Sequence, residues 1–446
     1  MKKALIVCVA LAFAALAFGA VKEVTIPFKV IKLKNGLTLI LSEDHSAPTY
    51  SIAVVYNVGS RDEKQGRTGF AHLFEHMMFE GSENVAKGEH YSLVFENGGS
   101  MNGTTDNDRT LYFENMPANQ MELGLFLEAD RMRALEVTQA KLDNQRNAVQ
   151  EERRRGIDNQ PYGKTYEAVD DLAYDTFAYK HSVIGSMDDL NAASLQDVQE
   201  FFKRYYAPNN ATIAIVGDFK TDDVLAMAKK YFEVIPAQPA PPKPDISQPE
   251  QKAERRKTLE DSFAQLPRID IVYRIPAGDS PDYYALSVMS RILSSGTSSR
   301  LYQKLVKDSE VATGANAYAG QRPGPSLEQI TVTVRPGKDL AAVEKMVYDE
   351  VAKLQSQPVE DWEMEKVRMS LRRAKVSSAQ STLFRAVNLA DSYVEFGDAN
   401  LVNTEDRQYA KVTKEDIQRV ARKYLVETNR SVIVTLPKAK PAPAGN

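Results

Sequence analysis

The chain has 446 residues, 43% hydrophobic and 26% charged, with 56 Lys and Arg against 60 Asp and Glu for a formal charge of −4. That length exceeds what one compact core usually serves, so two domains are expected, and the composition is that of an ordinary soluble globular protein. No basic block stands out, which argues against a nucleic-acid partner.

The first twenty residues, MKKALIVCVALAFAALAFGA, read as a secretory signal peptide: basic Lys2 and Lys3, an apolar stretch from Ala4 to Phe18, then small residues. Cleavage after Ala17, Gly19 or Ala20 is equally compatible. An uncleaved anchor is the alternative, but the apolar run falls short of the ~20 residues a span requires, and no later run approaches that length. Cys8 is the single cysteine. Removing the signal leaves none, so no disulfide framework is expected. Export to a periplasm-like space is the expected localisation.

Lys34-Asn35-Gly36 lies between two alternating apolar runs, a hairpin signal. Residues 51–58, SIAVVYNV, read as a buried strand. A helix follows over 68–79, with Thr68 as its N-cap. Gly98-Gly99 precedes SMNGTT, and a further strand runs over Arg109–Asn115. Two long helical patterns cover 118–135 and 138–155.

Residues 236–250, PAQPAPPKPDISQPE, are a proline-rich connector. The sequence on its two sides repeats. SLQDVQEFFKRYYAPNNATIAIV at 194–216 aligns with TKEDIQRVARKYLVETNRSVIVT at 413–435, pairing Asp197 with Asp416, Tyr205 with Tyr424 and Asn210 with Asn429. Each copy carries a Ser or Thr N-cap and an Asp at the third helical position, then an amphipathic helix, a turn and a β-branched strand. The expected organisation is a signal peptide (1–20), a first αβ half (21–235), a linker (236–256), a homologous second half (257–437) and a disordered tail (438–446). The irregular mixture of strands and helices, with a hairpin, indicates α+β: helices packed on mostly antiparallel or mixed sheets.

The stretch GFAHLFEHMM at 70–79 uses two of the five histidines. Positions i and i+4 share a helix face, so His72 and His76 can aim their imidazoles at one point, with Glu75 beside it. Two neutral imidazoles and an adjacent acid suit Zn²⁺, which acidifies a bound water that a carboxylate can then deprotonate. Two satisfied histidines on a half-buried helix are the competing explanation. A catalytic zinc normally keeps three protein ligands. His45, His90 and His181 are available for the third place, and so are the acids of LDNQRNAVQEERRR at 142–155. There Leu142, Gln145, Val149 and Glu152 share one face and Glu151 lies about 100° round the helix. A solvated Glu152 beside Arg153–Arg155 is equally compatible with these residues alone.

His-x-x-Glu-His is the inverzincin order. From about Ile26 to Pro437 the sequence resembles the pitrilysin/insulinase family of zinc metallopeptidases, most nearly its processing-peptidase-like bacterial members. The resemblance implies two homologous halves arranged as a clamshell, one zinc per chain, and peptide-bond hydrolysis with Glu75 as general base. It implies Glu152 as third ligand, in the setting Asn147-Ala148-Val149-Gln150-Glu151-Glu152 that follows His76 by the family's spacing of about 75 residues. It also implies that residues 98–117 include an edge strand receiving an extended peptide by β-augmentation, with Asn102 and Thr104 on the substrate side.

Two positions depart from the family. Gln145 stands where members often have a second glutamate, so it offers a hydrogen bond without charge. Members that complete the site from their second half carry an Arg and a Tyr at positions occupied here by Val306 and Thr313. The implied partner is a homologous subunit supplying that pair, this chain being the zinc-bearing member of a heterodimer. The competing class is a non-catalytic assembly subunit, as found among respiratory-complex relatives, which usually lose part of the motif that is intact here.

Overall fold

The computed structural model describes residues 25–438. The expected signal peptide, with Cys8, and the expected disordered tail beyond Lys438 lie outside the described residues. The Asn35-Gly36 turn joins β1 (Lys29–Lys32) antiparallel to β2 (Thr38–Glu43). Gly36 adopts φ 92°, which a residue without Cβ enters freely. The first half continues through β3 (Thr49–Tyr56), α1 (Phe70–Met77), α2 (Glu89–Glu96), β4 (Ser100–Thr105), β5 (Thr110–Pro117), α3 (Met121–Ala134), α4 (Gln139–Arg153), α5 (Gly163–Ala173), α6 (Leu195–Tyr205), β6 (Ala211–Gly217) and α7 (Thr221–Phe232). Its sheet has the order β1-β2-β6-β3-β5-β4 and is mixed, with β2–β6 as its parallel pair.

Residues 236–254 contain no helix or strand. They are nevertheless pinned: the Gln248 side chain accepts from the Asp175 amide at 2.8 Å, and the Pro249 carbonyl accepts from Arg274 at 2.7 Å. The second half comprises β7 (Arg255–Asp261), β8 (Arg268–Ile275), α8 (Pro281–Ser294), β9 (Ala312–Ala319), β10 (Ser326–Val334), α9 (Leu340–Ser356), α10 (Asp361–Ala379), α11 (Thr382–Phe396), α12 (Leu401–Lys411), α13 (Lys414–Tyr424) and β11 (Arg430–Pro437). Its order, β7-β11-β8-β10-β9 with β7–β11 parallel, repeats β2-β6-β3-β5-β4 of the first half.

The repeat extends to single atoms. Ser194 and Thr413 each form a capping box with the Asp three positions on. Asn210 donates to the carbonyls of Tyr205 (2.9 Å) and Asn57 (3.2 Å), and Asn429 donates to those of Tyr424 (2.8 Å) and Arg274 (2.9 Å). In each half one asparagine thus ties the end of the capped helix to the strand end beside it.

Each sheet buries one face against its own helices and the other against a helix from the opposite half. On the first sheet, Ile40, Ala53, Val55, Leu111, Ala214 and Val216 meet Ala386, Leu389 and Ala390 of α11. On the second, Val272, Leu327 and Ile433 meet Ala168, Val169 and Ala173 of α5. Alanines on the contact faces let helix and sheet approach closely. Polar contacts seal the exchange: Ser51 with Thr382 at 2.9 Å, Thr165 with Thr435 at 2.7 Å, Arg109 with Asp391 at 3.2 Å, and an Arg385–Asp44 ion pair. The two halves therefore share apolar cores and are held as one body.

Candidate metal centre

Helix α1 is fixed by its apolar face. Phe70, Leu73, Phe74 and Met77 are buried in the main core of the first half, with the Phe74 ring 4.3 Å from that of Tyr206. The N-terminus differs from expectation. Gly69 occupies the cap position at φ 84°, and no cap side chain bonds the helix. A Cβ at Gly69 would lie 2.6 Å from the Ile184 carbonyl. Buried Glu63 replaces the cap from outside, accepting from the amides of Gly69 (2.9 Å) and Ala71 (2.8 Å). Thr68 is displaced to Asp189, to which its hydroxyl donates at 2.5 Å. Burial pushes the Glu63 carboxyl upward against the opposing pull of His181, whose Nε2 lies 3.0 Å away. His181 is thus a support for the helix end and not a ligand.

His72 and His76 project on the other side of α1, their rings 4.9 Å apart and nearly perpendicular. Helix α4 packs against α1 with Leu142 and Val149 buried, and brings up Glu152. Its Oε2 lies 3.6 Å from His72 Nε2 and 3.3 Å from His76 Nε2. Glu151 turns outward to Arg154 and Arg155. His45 is exposed and pairs with Asp218 at 2.6 Å.

The donor set fits zinc. One ligating atom from each of His72, His76 and Glu152 lies within 4.8 Å of the others. Ligand atoms around a tetrahedral zinc, bonded at about 2.0–2.1 Å, sit about 3.4 Å apart, near the two separations found. Burial pulls His72 down to about 4, so its imidazole is neutral and its lone pair available. A hydrogen bond from His76 holds the Glu152 carboxyl below its usual range against the opposing effect of burial. The Glu152 side chain is 50% exposed, which leaves one side open to a substrate.

Glu75 stands beside this group. Burial raises its carboxyl, and the Thr105 hydroxyl opposes the rise by donating to Oε2 at 2.6 Å. A Cβ on Gly103 would fall 3.1 Å from Glu75 Cγ. Both neighbours belong to β4, which among the described residues pairs with β5 alone and leaves its other edge unpaired. Asn102 and Thr104 do lie on one face of β4, both exposed. That face is the one opposite Glu75, because their cross-strand partners Phe113 and Leu111 pack toward α11. The sequence reading missed Thr105 and Gly103. Strand alternation predicts that they point away from Asn102, but not which set faces the helix.

Gln145 bridges outward from His76. Its Oε1 lies 3.2 Å from His76 Nδ1, and its Nε2 donates to Glu80 at 2.5 Å.

A second cluster, His90, Glu114 and Glu128, has metal-like spacing. Arg131 already supplies its cation, donating through Nε to Glu128 at 2.9 Å, while His90 Nε2 sits 2.8 Å from Glu114. Burial raises both carboxyls to about 7. All four residues are sealed from solvent, so this is a buried ionic network. In the second half, Val306 packs against the apolar core and Thr313 donates to the Thr333 carbonyl at 3.3 Å, so neither offers a polarising cation or phenol.

Comparison with known proteins points to one family. Residues 38–185 match the family model described as Insulinase (Peptidase family M16), and residues 192–371 match Peptidase M16 inactive domain. The Helicobacter pylori zinc protease PqqE is 29% identical over 91% of this chain and 92% of its own length. A probable mitochondrial-processing peptidase subunit beta of Schizosaccharomyces pombe is 22% identical over 87% of each chain. The crystal structure of a protease from Helicobacter pylori superposes with a TM-score of 0.89 at 28% identity, covering 93% of this chain and all of that one. The periplasmic protease PqqL of Escherichia coli superposes with a TM-score of 0.75 at 18% identity, covering 95% of this chain and 50% of that one.

Proposed function

This chain belongs to the Peptidase M16 (insulinase/pitrilysin) family, and from that premise we propose that it is a zinc-dependent metalloendopeptidase acting on short or unfolded peptides. The observation that carries the reading is the meeting of His72, His76 and Glu152 within 4.8 Å, with Glu75 beside them and one side open. These three residues would hold one zinc, which when bound polarises a scissile carbonyl and acidifies water. An extended peptide adds to the free edge of β4 through main-chain hydrogen bonds. Glu75 takes the proton of the attacking water and passes it to the leaving amine. Thr105 holds Oε2 of Glu75, so Oε1 is the atom left to carry that proton. Asn102 and Thr104, on the far face of the edge strand, contact substrate side chains pointing that way.

The reading extends to a homologous partner subunit carrying the Arg and Tyr that Val306 and Thr313 replace. The match of one chain to half of PqqL supports a working unit of two such chains. We assign the halves to 21–235 and 255–437 around the proline-rich linker 236–254, which ends two residues before the expected 256 because Arg255 and Arg256 already pair with β11, and place the mature protein in the periplasm. No described helix is long and apolar enough to cross a membrane. The second reading, a non-catalytic assembly subunit, is favoured by the inactive-domain match over residues 192–371.

The test is metal analysis of the purified chain with a peptide-library digest, with and without chelator and with a homologous subunit bearing the Arg/Tyr pair. About one zinc per chain and chelator-sensitive cleavage support the enzyme. Cleavage that needs the second subunit supports the heterodimer, and full activity of the chain alone refutes it. Zinc without cleavage under either condition supports the assembly role.

A further inference from the structure

We propose that Glu80 is a positioning residue of the metal centre: it fixes the Gln145 amide with its oxygen toward His76 and thereby sets which nitrogen of that ring stays bare. The purpose of this device rests on the zinc reading above; the device itself rests on hydrogen-bond geometry.

A glutamine side chain has nearly the same shape whichever way its amide is turned. With Oε1 toward His76 Nδ1 it accepts a proton there and leaves Nε2 to a metal; without a metal, the Glu152 carboxylate 3.3 Å from Nε2 competes for that ring proton. Turned over, its NH₂ donates to Nδ1, the ring proton moves to Nε2, and the atom facing Glu152 can no longer ligate. A glutamate at 145 would have no such ambiguity, because a carboxylate only accepts. With glutamine there, another group must choose.

Glu80 and Asn144 make the choice. Gln145 Nε2 donates to Glu80 Oε1 at 2.5 Å and to Asn144 Oδ1 at 3.0 Å, so both amide hydrogens are used. Lys87 Nζ fixes both acceptors, lying 2.7 Å from the other oxygen of Glu80 and 3.1 Å from Asn144 Oδ1. Glu80 is only 5% exposed, so water is a poor substitute. Turning the amide would set its oxygen against two acceptors. Oε1 is left 3.2 Å from His76 Nδ1. The carboxylate absent at 145 is thus supplied one link further out, four residues beyond His76.

The test reads the tautomer directly. The tautomer is read in the zinc-free Glu152→Ala chain, which lacks the carboxylate 3.3 Å from Nε2; labelled with ¹⁵N-histidine and held above the pH where histidines titrate, His76 is expected to carry its proton on Nδ1. Adding Glu80→Ala releases the amide, and the signature mixes or inverts; with Glu152 intact, Glu80→Ala lowers zinc affinity by chelator competition about 10–100-fold. Glu80→Ala combined with Gln145→Glu restores the Nδ1–H form and brings affinity back near wild type, which mere lost packing at 80 would not allow. An Nε2–H tautomer in the Glu152→Ala chain, a tautomer and affinity unchanged by Glu80→Ala, or a Glu80→Ala/Gln145→Glu chain no better than Glu80→Ala each overturn the proposal. The Glu152→Ala measurement decides even if Glu80→Ala does not fold. Unchanged zinc binding in His72→Ala and Glu152→Gln would instead refute the zinc reading and leave the tautomer result standing.

Discussion

The Oε2 atom of Glu152 lies 3.3 Å from Nε2 of His76, although the two residues belong to different helices. A metal held there cross-links α1 to α4, so its loss is felt both as chemistry and as stability. Glu152→Gln is expected to drop zinc from about one per chain to below a tenth, and to abolish the rise in melting temperature that added zinc gives the wild type. Glu75→Gln keeps the zinc, while kcat falls about 10²–10⁴-fold. Elemental analysis beside a peptide-cleavage assay separates the two. Zinc lost in Glu75→Gln would contradict its assignment as base.

Glu75 is held between Thr105 and Gly103. In Gly103→Ala the added Cβ would stand 3.1 Å from Cγ and 3.2 Å from Oε1 of Glu75, so the carboxylate must shift. Misplacing a base by part of an ångström lowers kcat roughly tenfold or more without removing a ligand. Thr105→Val, which deletes the bond to Oε2, should act in the same direction. Asn102→Ala, on the opposite face of β4, should change KM alone. Steady-state kinetics at constant zinc content distinguish these outcomes.

Glu63 caps the metal-bearing helix without belonging to it. Glu63→Ala leaves the Gly69 and Ala71 amides unpaired in a buried place and His181 without its partner. The expected cost is about 1–3 kcal/mol of folding stability, with weaker zinc binding because the first turn of α1 carries His72. Thermal unfolding of the zinc-free protein and chelator competition report the two effects. An unchanged melting temperature would show that water replaces the cap.

Glu328 is fully buried; among the described residues only the Ser290 hydroxyl bonds its carboxyl, and Oε1 has no partner. Burial lifts its carboxyl from an ordinary 4.5 to about 8. Between those pH values the unfolded chain has released the proton and the folded chain still holds it. Stability therefore falls as pH rises from about 4.5 to about 8 and is level outside that window. Glu328→Gln cannot ionise and escapes the loss. It is expected to stabilise the protein on the order of 3 kcal/mol at pH 7 and hardly at all at pH 4. Parallel melting-temperature profiles for the two proteins would refute this.

Much of the molecule was legible in the sequence because it is written in local periodicities. His72 and His76 share a face wherever their segment is helical. Asn35-Gly36 turns the chain because glycine tolerates positive φ. The two capping boxes and the paired Asn210 and Asn429 follow from spacing that survives in both halves. Helix bounds were read less well at α1, where a Thr68 cap is the natural local choice and Glu63, remote in bonding though near in sequence, takes its place.

What the sequence determined is therefore the helical pair of imidazoles with an acid beside it, the α+β class and the repeat. Helical spacing already set Glu152 apart from Glu151, but tertiary structure alone decided that Glu152 meets the two histidines, since that depends on the angle at which α4 meets α1. It decided that Thr105 and Gly103 flank Glu75, that His181 supports a helix end, and that α5 and α11 cross to the other half's sheet. Local patterns fix which side chains share a face. Only the packing of faces brought from far along the chain fixes what each one meets.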